Sequence, residues 1–229
     1  VLVLTAALVL CTSAVAQEED EDTTAFKEGV EFYENGDLEK AQEAFLAALE
    51  ERPDDATILC WLGSVALRLN DPEKAIEHLT KAAELDPEYP VTYNNLGNAY
   101  LAKNDFQNAE AQYLLALEKN DQYFDAHYNL ANLYARQTDW DKAFNEYTRA
   151  LTIKPNDFET HLSFGHALRT ANIPDKATRE FEAARQLKPD DTTVLTILGS
   201  LYLQDSQSDQ AIDAYNAALA QDSSLVEAR

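Results

Sequence analysis

The 229-residue chain contains no methionine, two cysteines, six glycines and four histidines. With so few of these residues, it has no Gly-rich phosphate loop, no G-x-S-x-G nucleophile elbow and no Cys or His set at zinc-binding spacing. Its histidines at positions 127 and 161 occupy equivalent places in a repeat, where we expect packing residues rather than metal ligands. We therefore predict a protein that is not an enzyme and that uses no metal or cofactor.

Basic residues are also scarce, since 18 Lys and Arg face 41 Asp and Glu, a net charge of −23. Nucleic acids and anionic membrane surfaces are bound by cationic faces, so neither is expected as a partner. The excess of acid indicates solvated outer helix faces, with attraction of a basic partner as the alternative.

A long apolar run occurs at the start, from Val1 to Leu10, followed by Ala14-Val15-Ala16. This order is typical of a secretory signal peptide cleaved after Ala16. Because a basic start and a methionine are missing, we expect residues 1–16 to be an N-terminally incomplete signal, followed by an acidic linker over residues 17–21.

The expected location is therefore outside the cytoplasm, periplasmic or secreted, in a cell envelope. An uncleaved anchor and a lipoprotein site at Cys11 are alternatives, although Leu10 disfavours the latter. Membrane contact is expected only through such a retained segment. After cleavage Cys60 is the one remaining cysteine, which excludes an intramolecular disulfide and indicates a small apolar helix residue.

What the chain does contain is one 34-residue pattern, repeated six times from Asp22 to Leu225 without insertion or deletion. The units are 22–55, 56–89, 90–123, 124–157, 158–191 and 192–225. Their eighth residue is small, and their twentieth and twenty-seventh are always alanine. Their twenty-fourth is large and mostly aromatic: Phe45, Leu79, Tyr113, Tyr147, Phe181 and Tyr215. Such a period indicates a solenoid.

Each unit reads as two helices. The first has the small residue between large ones, and the second has a stripe of Ala, aromatic and Ala at helical spacing. Positions fifteen and sixteen, such as Asn104-Asp105, predict a left-handed helix end and an N-cap for the second helix. Proline at position thirty-two, as in Pro87, ends the second helix in four units.

These motifs, with Leu96, Gly97 and Tyr100 as an example of the first-helix signature, resemble the tetratricopeptide repeat family over about nine-tenths of the chain. The resemblance implies an all-α, right-handed superhelical solenoid of antiparallel helix pairs. It also implies a concave wall formed by positions two, five, nine, twelve and thirteen of the first helices. Acidic and basic residues are equal in number at those positions, so the wall is expected to be near neutral and to suit an extended peptide.

Two consecutive units carry amides at positions six and nine, Asn95 and Asn98, then Asn129 and Asn132. They resemble part of the asparagine ladder in the repeat domain of O-linked N-acetylglucosamine transferases. Such amides offer both donors and acceptors to a peptide backbone. Packing between helices is the alternative role. The candidate peptide-binding residues are Asn94, Asn95, Asn98, Tyr128, Asn129, Asn132, Arg136, His166 and Arg169.

The carboxylate clamp of the family requires Lys at position five, which no unit has, so that mode is excluded. Arg136 and Arg169 are expected either to meet one carboxylate or to be solvated surface residues.

The predicted function is a non-enzymatic scaffold or adaptor that binds a protein or extended peptide ligand in the groove. The alternative is the substrate-recognition arm of a larger enzyme whose catalytic domain lies beyond Arg229. Residues 226–229 read as the start of a truncated further helix. An uncapped end would leave Ala211, Ile212, Tyr215 and Leu219 partly open and allow self-association.

Overall fold

The computed structural model describes residues 23–222, and all regular structure in that range is α-helical. The twelve helices are α1 (Thr24–Asn35), α2 (Leu38–Glu51), α3 (Ala56–Arg68), α4 (Pro72–Leu85), α5 (Pro90–Ala102), α6 (Phe106–Lys119), α7 (Phe124–Arg136), α8 (Trp140–Ile153), α9 (Phe158–Thr170), α10 (Pro174–Leu187), α11 (Thr192–Gln204) and α12 (Ser208–Gln221). Each predicted repeat contains one odd-numbered and one even-numbered helix. The all-α array of helix pairs is thus confirmed.

The helices form two compact units, the first ending at Leu130 and the second beginning at Ala131. In the first, α1 packs on α2, α3 on α4 and α5 on α6, while α2 contacts α3 and α4 contacts α5. In the second, α9 packs on α10 and α11 on α12, while α8 contacts α9 and α10 contacts α11. Each helix therefore buries its apolar side against its neighbours in sequence.

The turn inside each repeat is set at position fifteen, where every backbone has a positive φ. The residues are Gly36, Asn70, Asn104, Thr138, Asn172 and Ser206. The left-handed conformation ends the first helix, as predicted. Asp71, Asp105 and Asp139 at position sixteen then cap the second helix by accepting its third N–H. Asp37, in the same place, makes no such bond and pairs with Lys40 instead.

Each pair of helices is held together by the small residue at position eight and the large one at position twenty-four. A Cβ built on Gly97 would lie 2.4 Å from the Tyr113 ring, and one on Gly63 would lie 2.4 Å from Leu79. Real Cβ atoms do not approach so closely, so only glycine fits at these two contacts, whereas the fourth repeat has Ala131 at the same position. The alanines at positions twenty and twenty-seven are fully buried throughout both units.

The expected signal peptide, linker and further helix lie outside residues 23–222. Within that range, no helix combines the length and the apolar content that crossing a bilayer requires. On α12, Ile212 is 56% exposed, and Tyr215 and Leu219 are half-buried. Ala211 is fully buried, so the expectation of an open face is wrong for that residue, whose methyl group belongs to the packed core.

Candidate binding face on the first helices

In each unit, the first-helix face comprises the residues at repeat positions two, five, six, nine, twelve and thirteen on the odd-numbered helices. The predicted site residues all lie on these faces. In the first unit they are Asn94, Asn95, Asn98, Tyr128 and Asn129. In the second unit they are Asn132, Arg136, His166 and Arg169. All of these residues lie on regular helices, so their Cα positions are set by helix packing and not by loops.

Three of the predicted amides are buried between helices of the first unit. Asn129 Nδ2 donates to Asn94 Oδ1 at 2.9 Å, and Asn95 Nδ2 donates to Ser64 Oγ at 3.1 Å. Asn95 also lies 3.9 Å from Cys60 Sγ. The amide at position six therefore bonds to position five or nine of the preceding repeat, across two first helices. These bonds give Asn95 and Asn129 a packing role; ligand binding by them stays a prediction.

Asn94 is fully buried, and its Nδ2 has no hydrogen-bond partner among the described residues. Tyr128 is also buried, with its ring stacked on Phe124 at a centroid distance of 6.2 Å. Neither side chain is open to a ligand in this conformation. The accessible part of the first unit's face therefore does not include Asn94 and Tyr128, which were predicted to bind the peptide.

The position-nine amides are more exposed and have another partner. In the first unit the Tyr113 hydroxyl donates to Asn98 Oδ1 at 2.8 Å, and in the second the Tyr147 hydroxyl donates to Asn132 Oδ1 at 2.6 Å. In the last repeat Ser200 Oγ and the Tyr215 hydroxyl lie 3.0 Å apart. Both asparagines are half-buried, so each carboxamide lies at the edge of the core and the surface.

The first-helix face of the second unit carries exposed charge. Arg136 at the end of α7 and Arg169 on α9 are exposed, and so is Leu203 on α11, at 53%. His166 is half-buried and meets the Phe181 ring edge-on at 5.2 Å. Burial first, and the Arg169 charge second, lower the pKa of His166. The imidazole is therefore neutral at neutral pH, and the two arginines carry the positive charge.

Position four shows a role that sequence reasoning missed. Tyr93 donates its hydroxyl to the Pro87 carbonyl, His127 Nε2 lies 3.0 Å from the Asp121 carbonyl, and His161 Nε2 lies 3.0 Å from the Pro155 carbonyl. Each polar aromatic side chain at position four thus contacts the backbone carbonyl of the residue at position thirty-two of the preceding repeat, which lies six residues earlier in the chain. The sequence carried a signal for this contact, because the two residues are six positions apart in all three pairs.

Within residues 23–222, no three His, Cys, Asp or Glu side chains gather as metal ligands would.

Arg68, which the resemblance placed on the concave wall at position thirteen, has an additional role that the sequence did not indicate. Its Nη1 donates to the Tyr33 carbonyl at 2.7 Å, and its guanidinium lies 4.6 Å from the Tyr33 ring centroid. It satisfies a carbonyl at the end of α1, where helix carbonyls lack internal partners. The side chain therefore ties two first helices together.

A cavity of about 410 Å³ lies between α10 and the α11–α12 turn, and Gln204 at position thirteen is among its lining residues. The Tyr202 hydroxyl donates to Glu182 Oε1 at 2.7 Å at its wall. Burial, and then the bond to Glu182, raise the pKa of Tyr202 to about 12. The phenol therefore stays protonated at any physiological pH.

Comparison with known proteins gives a consistent picture. The tetratricopeptide repeat profile matches residues 26–90, 94–158 and 162–225. No curated protein sequence matches the chain significantly. The crystal structure of YrrB, described as a TPR protein with an unusual peptide-binding site, is 25% identical, with a TM-score of 0.65 over 82% of this chain and 97% of that one.

Two further solved structures are similar. MamA is 28% identical, with a TM-score of 0.62 over 72% of this chain and 96% of MamA. The pilF protein of Pseudomonas aeruginosa is 18% identical, with a TM-score of 0.76 over 89% of this chain and 93% of pilF. At that identity the pilF likeness concerns the fold alone.

Proposed function

Since the chain belongs to the tetratricopeptide repeat family, we propose that it is a non-enzymatic scaffold or adaptor of the cell envelope that binds a protein segment on the first-helix face. The observation that carries this proposal is the accessible chemistry of that face in the second unit. Arg136, Arg169 and Leu203 are exposed on three first helices. Exposed charged and apolar side chains on rigid helices can bind the polar and apolar groups of an extended protein segment.

The electrostatics of the chain support the same surface. Many bases elsewhere are paired with carboxylates, as Lys103 is with Glu73 and Lys119 with Glu88. On the first-helix face, Glu159 is paired with Lys188 at 3.5 Å, while Arg169 has no carboxylate partner within residues 23–222. An unpaired arginine in a chain of net charge −23 is available to a partner's acceptor groups.

YrrB adds support from outside the chain, because a protein 25% identical to this one is described as having a peptide-binding site. The envelope location rests on the apolar start of the sequence and its Ala14-Val15-Ala16 segment. Export of the full chain in a bacterial host, followed by mass spectrometry of the mature N-terminus, tests it: the location predicts Gln17 as the first residue, and retention in the cytoplasm contradicts it.

The alternative, a substrate-recognition arm of a larger enzyme, relied on the amide pairs Asn95 with Asn98 and Asn129 with Asn132. The carboxamides of Asn95 and Asn129 donate to neighbouring helices. Half of the amides are thus used in packing, which favours the scaffold as the proposal.

The binding surface is tested by a pull-down that compares two triple variants of the full chain. The first, Arg136→Ala with Arg169→Ala and Leu203→Ala, changes the first-helix face. The matched control, Arg149→Ala with Arg179→Ala and Leu114→Ala, removes the same charges and an equally exposed leucine from second helices. We expect partners to be lost from the first variant only. Loss from the control alone would place binding on the second helices and contradict the proposal.

A further inference from the structure

Positions nine and twenty-four form a bonded pair in the three repeats that have tyrosine at position twenty-four. Where position twenty-four is tyrosine, position nine is a polar residue that bonds to it, as in Asn98 with Tyr113 and Asn132 with Tyr147. Where it is Phe181, position nine is His166 and the contact is between rings. The two asparagines therefore occupy a packing slot that the twenty-fourth residue defines.

The tyrosine hydroxyl decides which end of the carboxamide points inward. The O···O distances are 2.8 Å for Tyr113 and Asn98, and 2.6 Å for Tyr147 and Asn132. These are ordinary lengths for O–H···O bonds, and a phenol donates more readily than it accepts. In each pair the oxygen is therefore turned toward the tyrosine and the NH₂ group away from it.

The outward NH₂ groups are unused. Within residues 23–222, neither Asn98 Nδ2 nor Asn132 Nδ2 has a protein acceptor, and neither atom is among the buried unpaired ones. Asn95 and Asn129 differ, because their Nδ2 atoms donate to Ser64 and Asn94. The half-buried asparagines at position nine are thus the amides that can meet a ligand, and they meet it as donors.

We propose that Tyr113 and Tyr147 are positioning residues that hold Asn98 and Asn132 as one-way hydrogen-bond donors, so that the partner is recognised through acceptor groups. The acceptors are the backbone carbonyl oxygens of an extended segment, the one acceptor that every residue of a peptide supplies. This inference rests on the proposed function. It also alters the expectation that these amides offer donor and acceptor alike, since their oxygens are turned toward the tyrosines and away from the ligand side.

The positioning role is tested without any ligand by NMR of the side-chain amides. In the ¹H–¹⁵N spectrum of the full chain, Tyr113→Phe is expected to shift the Asn98 NH₂ pair and bring its two proton shifts closer together, with the Asn132 pair unchanged. Tyr147→Phe should do the reverse. Tyr100→Phe is the matched control, because it removes a half-buried hydroxyl that bonds to neither amide. If Tyr113→Phe leaves the Asn98 pair in place, the positioning role is refuted.

Recognition by donors is tested with a peptide selected from a displayed random library on the wild-type chain. Asn98→Asp keeps an oxygen for Tyr113 but replaces the donor by an acceptor, and is expected to weaken binding of that peptide about tenfold. Tyr113→Phe should weaken it about threefold, since the carboxamide is then free to rotate. Asn145→Asp, an exposed site on α8, controls for the added charge.

The outcomes separate the two proposals. Equal affinity of the Asn98→Asp and Asn145→Asp variants would overturn donor recognition while leaving peptide binding intact. A library that yields no peptide, together with no partner in the pull-down, would overturn the proposed function itself. The NMR result would still decide whether the tyrosines orient the amides.

Discussion

At the scale of single residues, the turn inside the fourth repeat carries backbone strain that the four turns with glycine or asparagine avoid. Thr138 has φ of 61°, where Asn70, Asn104 and Asn172 occupy the same turn position of other repeats. A β-branched side chain is strained in the left-handed region, which asparagine and glycine tolerate. We expect Thr138→Gly to raise the free energy of unfolding by about 1 kcal/mol, measured by urea denaturation.

Asn70→Thr supplies the mirror test of this strain. It introduces threonine at φ of 59° and should lower the free energy of unfolding by a similar amount, about 1 kcal/mol. A Thr138→Gly variant no more stable than the wild type would mean that the turn relaxes around threonine.

A second residue-scale prediction concerns pH. His161 Nδ1 lies 2.7 Å from Glu180 Oε2, and this bond is the main cause that raises the pKa of His161. A raised folded-state pKa stabilises the fold below the unfolded value of about 6.5, and the stabilisation is lost as pH rises through the folded value. We expect His161→Gln to be destabilising at pH 5.5 and much less so at pH 8.5.

The measurement is the difference in free energy of unfolding between wild type and His161→Gln at each pH. His78 and His166, whose pKa values are lowered chiefly by burial, act in the opposite direction but are present in both proteins and cancel. A difference that is constant with pH would show that His161 acts only through its bond to the Pro155 carbonyl.

At the scale of secondary-structure elements, some of the aspartates that precede helices accept a capping hydrogen bond and others do not. Asp157 accepts from Thr160 N at 2.9 Å and from Thr160 Oγ1 at 2.7 Å at the start of α9. Asp37 precedes α2 without a capping bond and pairs with exposed Lys40. We expect Asp157→Ala to cost about 1 kcal/mol in the free energy of unfolding. Asp37→Ala should stay within about 0.5 kcal/mol of wild type. Equal losses in thermal or urea denaturation would contradict this division.

Helix positions and their ends were predictable because the pattern that sets them occurs in all six repeats. The small residue at position eight, the turn at fifteen and the alanines all describe contacts made inside one repeat or with the next. The pairing of amides was less predictable. Asn95 and Asn98 lie three residues apart on one helix, yet Asn95 donates to a neighbouring helix while Asn98 accepts from Tyr113. That choice depends on distances between helices, which the residue types alone do not specify.

The carbonyl contacts at position four illustrate the same limit. The pattern suggested packing for His127 and His161, and both rings do lie in the interior or at its edge. The backbone carbonyl that each histidine contacts belongs to a residue six positions earlier, across a turn. This contact can be identified only when the path of the backbone is known. The sequence thus placed the candidate residues on the right helices, but it did not indicate which of their side chains are accessible.

At the scale of the whole molecule, the net charge of −23 opposes the folded state through repulsion between like charges. The ion pairs that offset it, such as Lys40 with Asp37 and Lys74 with Asp71, are largely exposed and contribute little. Added salt screens long-range repulsion, with a Debye length near 10 Å at about 0.1 M. We expect the Tm to rise between about 0.02 and about 0.3 M NaCl, followed by circular dichroism. A falling Tm would mean that the ion pairs outweigh the repulsion.

The central claim is that a protein segment binds on the first-helix face, and site-specific photo-crosslinking tests it most directly. A photoreactive phenylalanine analogue would be placed in the full chain at Leu203 on α11, and in a second protein at Leu114 on α6, both already exposed leucines. Binding on the first helices predicts crosslinked partner peptides from the Leu203 position and few or none from Leu114. Crosslinks from Leu114 with none from Leu203 would contradict the account.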